Sequence, residues 1–265
     1  MKIGIDAGGT LLKIAYITGD ERRLEKRPST DIDSLIDELN TSHRDDDIYL
    51  TGGKAEYMSS RLTIPAVLSI EFDATFRGLK LLMKEQGFKF NKFVYLNVGT
   101  GTSFHQADSD GQRRAGGSGV GGGTLMGLSR LLTGVENFDD IISLAKNGNR
   151  DQIDLKVHHI YAGNKSPLPG DLTASNFGNV QPGDHKDANI EDQLQSVIAL
   201  VAETVSTIGI SLAEGFNTEH IVYIGSTLLD NDVMTEIINR YVRLKGMRPH
   251  IIVDGEFSGA VGAAM

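Results

Sequence analysis

Apolar residues along this chain follow two periods, one typical of helices and one typical of strands. Helical spacing predicts helices over residues 31–39, 73–86, 123–132, 139–146, 189–215 and 233–244. Short runs of β-branched and apolar residues predict strands over residues 3–6, 11–17, 48–51, 66–70, 93–98, 220–224 and 251–253, with another beginning at residue 102. Because strands alternate with helices, the pattern indicates an α/β protein.

The order of predicted elements repeats along the chain. A strand, a turn at Gly8 and Gly9, and a second strand open the chain, and the same order returns around residues 99–101. The repeat suggests an internal duplication. We therefore predict two lobes, residues 1–90 and 91–265, on either side of a central cleft. A segment rich in Pro, Gly, Asn and Ser, residues 163–183, is predicted to be a functional loop.

The first glycine turn has the composition of a phosphate-binding site. It consists of Asp6, Ala7, Gly8, Gly9, Thr10, Leu11, Leu12 and Lys13. Paired glycines let backbone N–H groups approach a phosphate, while Thr10 adds a hydroxyl donor and Lys13 a positive charge. Asp6 would orient Mg²⁺ or its waters. An ordinary tight hairpin is the alternative, because Gly-Gly is a common turn dipeptide.

Two further glycine-rich segments follow in the second half. Asn97 to Ser103 again combine glycines with hydroxyl residues after an apolar strand, so the two turns could grip a polyphosphate from both sides. Residues 116–123 run directly into a predicted helix, where free N–H groups would lie beside a backbone that a nucleotide can approach. The alternatives are a second structural hairpin and a solvated glycine linker.

Two pairs of charged residues are candidates for chemistry. Glu71 and Asp73 follow an apolar strand and open a helix. That position fits a catalytic carboxylate, but it also fits the simple preference of acidic residues for a helix N-terminus. Arg113 and Arg114 could bind a carboxylate or a phosphate through the planar guanidinium group, or lie on a solvated strand edge.

Composition narrows the class of function. A formal net charge of −9 gives no general attraction for nucleic acid or an anionic membrane. The chain has no cysteine, and we see neither a signal peptide nor an apolar run long enough for a bilayer, so we expect a cytoplasmic protein. The seven histidines show no metal-ligand spacing; His158 and His159 are adjacent, and we expect their side chains to point apart.

The two glycine turns, together with a glycine-containing strand end at residues 222–227, resemble the superfamily of actin, sugar kinases and heat-shock ATPases. Several segments are more specifically similar to the type II pantothenate kinases of staphylococci and related bacilli: residues 6–13, 70–74, 97–103, 113–123, 169–178 and 257–260. This resemblance implies a duplicated actin-like, ribonuclease H-like α/β fold and a homodimer. It also implies ATP-dependent phosphorylation of the terminal primary hydroxyl of pantothenate, the first committed step toward coenzyme A.

The resemblance further implies roles for individual residues. Glu71 would be the general base, Arg114 would meet the pantothenate carboxylate, and Thr100 and Ser103 would position the substrate. The nucleotide site would combine the first turn with Thr100, Gly101, Gly121, Gly122, Gly123, Thr124, Leu125, Met126, Phe138 and Ser226. The wider superfamily has Asp where this chain has Asn97, so Mg²⁺ would depend on Asp6 and water.

Two other functions remain open at this point. A sugar or amino-sugar kinase shares the Asp-x-Gly-Gly-Thr turn, although the repressor-related group carries a cysteine zinc motif, and this chain has no cysteine. An actin-like nucleotide switch would turn over ATP without phosphorylating any metabolite.

Overall fold

A computed structural model describes residues 1–162, 164–180 and 189–265. The first sheet has the order β3-β2-β1-β4-β5 and is formed by β1 (Lys2–Ala7), β2 (Leu11–Thr18), β3 (Glu21–Pro28), β4 (Asp47–Thr51) and β5 (Ala66–Leu68). The second has the order β12-β11-β6-β7-β8 and is formed by β6 (Phe93–Val98), β7 (Thr102–Asp108), β8 (Gly111–Ser118), β11 (His220–Ile224) and β12 (Arg248–Ile251).

The two sheets share one topology. In each sheet, the first three strands in sequence form an antiparallel meander. The fourth strand then pairs in parallel with the first, and the fifth pairs in parallel with the fourth. A small third sheet pairs β9 (Leu155–Lys156) with β10 (Thr173–Ser175). The α/β class is confirmed, and the matching strand orders are those expected of a duplicated fold.

Helices cover the sheets. They are α1 (Ile32–Ser42), α2 (Ala55–Arg61), α3 (Glu71–Glu85), α4 (Gly122–Thr133), α5 (Phe138–Ala145), α6 (Val157–Tyr161), α7 (Ile190–Gly215), α8 (Asp232–Leu244) and α9 (Ser258–Ala263). By length and composition alone, α7 could cross a membrane. However, its apolar side chains, such as Val197 and Val201, are buried in the core between the second sheet and α4, α5 and α8. Helix α7 therefore behaves as a core helix.

The apolar pattern missed the outer strands β3 and β8 and the short helix α2. Six of the eight residues of β3 are charged and β8 contains three glycines, so neither strand alternates polar with apolar residues. Both are edge strands that pair with a single neighbour, and an edge strand needs no buried face of its own. The last strand lies at Arg248–Ile251 and overlaps the predicted span 251–253 only at residue 251.

Helices α3 and α9 each pack against the sheet formed by the other half of the chain. Helix α3 packs Leu79 and Leu82 against the second sheet, although it follows the strands of the first. Helix α9 packs Ala260 against Ala15 of the first sheet, although it lies at the end of residues 91–265. The two helices contact each other closely, because a Cβ atom at Gly262 would overlap the carbonyl oxygen of Ala74. This crossed pair fixes one sheet against the other.

Gly262→Ala is expected to lower the free energy of unfolding by about 1–3 kcal/mol, the usual cost of forcing extra atoms into a packed core. Urea denaturation measures it. Gly127→Ala in α4 is the matched control, because a Cβ there meets nothing within 4 Å. It should be neutral, or stabilise by up to about 1 kcal/mol through helix propensity. Equal effects of the two substitutions would contradict the close helix contact.

Candidate active site

A cleft of about 920 Å³ separates the two sheets, and both glycine turns face it. The hydroxyl oxygens of Thr10 and Thr100 lie 2.9 Å apart, so the turns meet across the cleft. The cleft is lined by sixteen of the predicted site residues: Asp6, Gly8, Gly9, Thr10, Leu11, Lys13, Glu71, Thr100, Gly101, Ser103, Arg114, Gly122, Gly123, Met126, Phe138 and Ser226.

The first turn holds a carboxylate and a cation side by side. Asp6 pairs with Lys13 in the β1–β2 register, and Lys13 Nζ lies 3.2 Å from Asp6 Oδ2. Two glycines flank the carboxylate, because a Cβ at Gly52 would lie 2.6 Å from Asp6 Oδ1 and one at Gly259 would lie 3.0 Å from Asp6 Oδ2. The carboxylate is thus held in one place by packing. The Gly8 N–H closes the turn by donating to the Leu11 carbonyl oxygen, so it is not a free phosphate donor.

The second turn docks onto the start of α4. The N–H groups of Gly122 and Gly123 donate to the carbonyl oxygens of Gly99 and Thr100, at 2.7 and 2.8 Å. These N–H groups were expected to be free at the helix N-terminus. In the structure they are engaged by the turn, and Gly121 is packed so that a Cβ would lie 2.8 Å from the Gly101 backbone. The glycines therefore permit close approach of helix and turn.

Glu71 is the first residue of α3 and faces the cleft. Partial burial raises the pKa of Glu71, the nearby Asp6 carboxylate raises it further, and Lys13 opposes both. A raised pKa suits a group that accepts a proton near neutral pH. Arg114, on β8, stands over the ring of Phe72 with its Cζ atom 5.5 Å from the ring centroid. This acid and this cation therefore share one cleft wall.

Five predicted nucleotide-binding residues do not line the cleft. Ala7, Leu12 and Leu125 are fully buried in the two cores. Gly121 is packed against the second turn, and the Thr124 hydroxyl, which accepts from the Gly121 N–H, helps to cap α4. The period of a strand explains Ala7 and Leu12, because alternate residues of β1 and β2 point away from the cleft.

Sequence reasoning missed several residues that line the cleft, among them Lys26, Phe72, Asp139 and Asp230. Lys26 lies opposite Lys13 in the β2–β3 register and so adds a second cation. The charged character of β3 was the available signal. Arg113, in contrast, hydrogen-bonds to Gln106 and does not line the cleft.

The predicted functional loop, residues 163–183, falls partly outside the described residues, at residue 163 and residues 181–183. Its described part contributes no residue to the cleft.

The expectation that His158 and His159 point apart is wrong. Their rings lie 4.1 Å apart at the start of α6, close to the Asp151 carboxylate. Both have local partners, since His158 Nδ1 bonds the Gly170 carbonyl oxygen and His159 Nδ1 accepts from the Lys156 N–H.

The family model named Fumble matches residues 29–265 of this chain. A type II pantothenate kinase of Staphylococcus saprophyticus is 44% identical, with 99% of each chain covered. The chain belongs to the Fumble family of type II pantothenate kinases. Another relative, the type II pantothenate kinase of Staphylococcus aureus (strain USA300), is 42% identical over 99% of this chain and 98% of its own length.

Solved structures show how widely the Fumble family shares its fold. Component A of the (R)-2-hydroxyglutaryl-CoA dehydratase of Acidaminococcus fermentans matches with a TM-score of 0.64 at 14% identity, covering 99% of this chain and 95% of that one. A ROK family glucokinase from Streptomyces griseus matches with a TM-score of 0.62 at 12% identity, covering 99% and 97%. At these identities the likeness concerns the fold alone, which is the two-domain fold predicted from the duplication.

Proposed function

We propose that this chain catalyses the ATP-dependent phosphorylation of pantothenate to 4'-phosphopantothenate, the first step of coenzyme A biosynthesis. The observation that carries the proposal is the meeting of the two glycine turns, at Thr10 and Thr100, in a cleft whose wall also holds Glu71 and Arg114. Relatives that are 42–44% identical over nearly the whole chain are named as pantothenate kinases.

Phosphoryl transfer requires little covalent chemistry from the protein and depends on positioning and charge stabilisation. Lys13 and Lys26 would supply positive charge beside the phosphates. Asp6, which packing holds in one place, presents a hard oxygen ligand of the kind that Mg²⁺ prefers. Magnesium bound there would neutralise charge on the transferred phosphoryl group. The nucleotide would lie along Gly122, Gly123, Met126, Phe138 and Ser226, which line the same cleft.

The pantothenate end of the cleft would be formed by Glu71, Arg114, Ser103 and Thr100. Glu71 accepts the proton of the attacking hydroxyl, and Arg114 binds the carboxylate through its two parallel N–H groups. Arg114 is exposed and lines the cleft, and within the described residues it shows no ion pair, which suits a cation that binds the carboxylate of a ligand.

One assay tests the proposed function and separates it from its rivals. The purified protein is incubated with magnesium ATP and, separately, with pantothenate, glucose, N-acetylglucosamine or glycerol, while ADP release is followed. ADP release that depends on pantothenate supports the proposal. Release that depends on a sugar would identify a sugar kinase, and release indifferent to all four would identify a nucleotide switch.

Glu71→Gln is expected to retain ATP binding and to lose turnover by about a hundred-fold or more, the usual contribution of a positioned general base. Steady-state kinetics and ATP titration measure the two effects. Glu85→Gln, at the other end of α3 and paired with Arg22 at 2.8 Å, is the matched control and should turn over normally. Near-normal turnover of Glu71→Gln would contradict the role of general base and would indicate that Glu71 only stabilises the N-terminus of α3.

The pH dependence of kcat/KM should reflect the raised pKa of Glu71. As the pH falls through that pKa, Glu71 gains a proton and can no longer act as a base. The acid limb is therefore expected above about pH 4.3, the ordinary value for glutamate. An acid limb at or below that value would contradict the assignment.

Arg114→Ala is expected to raise the KM for pantothenate by about 10- to 100-fold, the cost of losing a hydrogen-bonded charge, with little change in the KM for ATP. Arg113→Ala is the matched control, because Arg113 bonds Gln106 and does not line the cleft. Equal rises in the two Michaelis constants of Arg114→Ala would count against a carboxylate clamp.

We also propose a cytoplasmic homodimer, as the resemblance implies. Exposed apolar side chains on the described surface, such as Leu131 at 82% exposure, provide area that a second copy could cover. Light scattering coupled to size exclusion measures the mass directly, and a monomer at micromolar concentration would contradict the dimer.

A further inference from the structure

A buried histidine lies directly behind the proposed substrate site. His105 is two residues after Ser103 on β7, so both side chains lie on the same face of the strand. His105 is 1% exposed, and its ring stacks on Tyr95 at 4.4 Å between centroids and lies 5.1 Å from the ring of Phe72. His105 Nε2 lies 3.1 Å from Ser103 Oγ, and His105 Nδ1 lies 2.9 Å from Gln112 Oε1.

Asp73 sets the direction of these hydrogen bonds. The Gln112 amide nitrogen donates to Asp73 Oδ1 at 3.4 Å, and an ionised carboxylate can only accept. The amide oxygen of Gln112 must then face the other way, where it also accepts from the Tyr95 hydroxyl at 3.3 Å. Since an amide oxygen has no proton to give, His105 Nδ1 must be the protonated nitrogen.

The charge of His105 follows from its surroundings. Burial lowers the pKa of His105, the Arg114 cation on β8 lowers it further, and the bond to Gln112 opposes both. The other groups that face it are Tyr95 on β6, whose pKa burial raises so that the hydroxyl stays protonated, and Asp73, which contacts it through Gln112. At neutral pH the ring is uncharged, and with the proton on Nδ1 its Nε2 atom is a bare acceptor.

We propose that His105, oriented by Gln112 and Asp73, is a positioning residue: its Nε2 atom accepts the hydrogen bond that the Ser103 hydroxyl donates, which leaves the Ser103 oxygen as a hydrogen-bond acceptor toward the cleft. Ser103 then favours a substrate that presents an O–H or N–H donor at that point and disfavours one that presents only an acceptor. The chain of contacts gives Asp73 a positioning role, which differs from both the catalytic and the helix-end roles that its place in the sequence suggested. The inference rests on the proposed function only in that Ser103 meets the substrate.

The tautomer is tested on the ligand-free protein by nuclear magnetic resonance of ¹⁵N-labelled histidine, with the His105 signals assigned by their loss in His105→Gln. We expect a neutral ring protonated on Nδ1 at pH 7. Protonation on Nε2, or a charged ring, would overturn the inference. This measurement needs no substrate, so its outcome is independent of whether the protein phosphorylates pantothenate.

Kinetics test the consequence for Ser103. His105→Phe keeps the ring stacked on Tyr95 but removes the acceptor, and we expect the KM for pantothenate to rise about 2- to 10-fold, with the KM for ATP unchanged. His105→Gln places an amide oxygen where Nε2 was and should restore most of the loss. In a Ser103→Ala background the two His105 variants should have equal KM values. Equal behaviour of His105→Phe and His105→Gln in the parent background would indicate a purely structural ring.

Two analogues test the donor requirement and identify the donor. One carries a methyl group on the amide nitrogen of pantothenate and the other on its secondary hydroxyl, and each is measured as a competitive inhibitor. We expect one of them to bind about 2- to 10-fold more weakly than pantothenate to the parent protein, and this difference to disappear in Ser103→Ala. If Ser103→Ala changes neither ratio, Ser103 does not accept a hydrogen bond from the substrate and the inference fails.

Discussion

The backbone contact between α3 and α9 sets the geometry on which the site depends. Helix α3 begins with Glu71, and α9 brings Gly259 against the carboxylate of Asp6. Since glycines let the helices touch without intervening side chains, the two acidic groups are fixed relative to each other by packed backbone. Partial burial raises the pKa of Glu71 and the nearby Asp6 carboxylate raises it further, while the close approach of Gly52 and Gly259 confines the position of Asp6. The relative placement of the two acidic groups in the cleft is therefore a consequence of helix packing outside it.

Glycines serve two different purposes around the cleft. In the first turn, Gly8 and Gly9 line the cleft, and because they carry no side chain their backbone borders the cleft directly. At the start of α4 they let a helix end dock onto the second turn, and their N–H groups are used there. A run of glycines before a helix therefore need not indicate free donors for a phosphate. In the second half, the proposed nucleotide site would be formed by the docked start of α4 together with Met126 and Phe138, which line the cleft.

Much of the fold could be predicted from the sequence because the central strands are apolar and their order repeats. The edge strands β3 and β8 could not, since charged residues and glycines on an edge leave no apolar pattern. The packing of α3 on the second sheet and of α9 on the first could not be predicted either, because each helix follows, in the chain, the strands of the sheet on which it does not pack. Such packing depends on tertiary contacts that spacing does not encode.

The residues of the candidate site could be predicted where they belong to a sequence motif, such as a glycine turn. They could not be predicted where side chains from different strands and helices meet. Treating residues 6–13 as one unit included Ala7 and Leu12, which strand alternation turns into the core. The chain of bonds from Asp73 through Gln112 and His105 to Ser103 joins a helix to two strands. Ser103 and His105 are neighbours on one strand, but Gln112 lies on another strand and Asp73 on a helix, so only the folded arrangement brings the whole chain of bonds together.

Phosphorus magnetic resonance of the reaction product tests the central claim most directly. With pantothenate and magnesium ATP, the account predicts a new phosphate monoester whose phosphorus couples to the protons of a single methylene group, as expected for transfer to the primary hydroxyl. Inorganic phosphate and ADP as the only products would contradict it, because the cleft would then hydrolyse ATP without a metabolite acceptor.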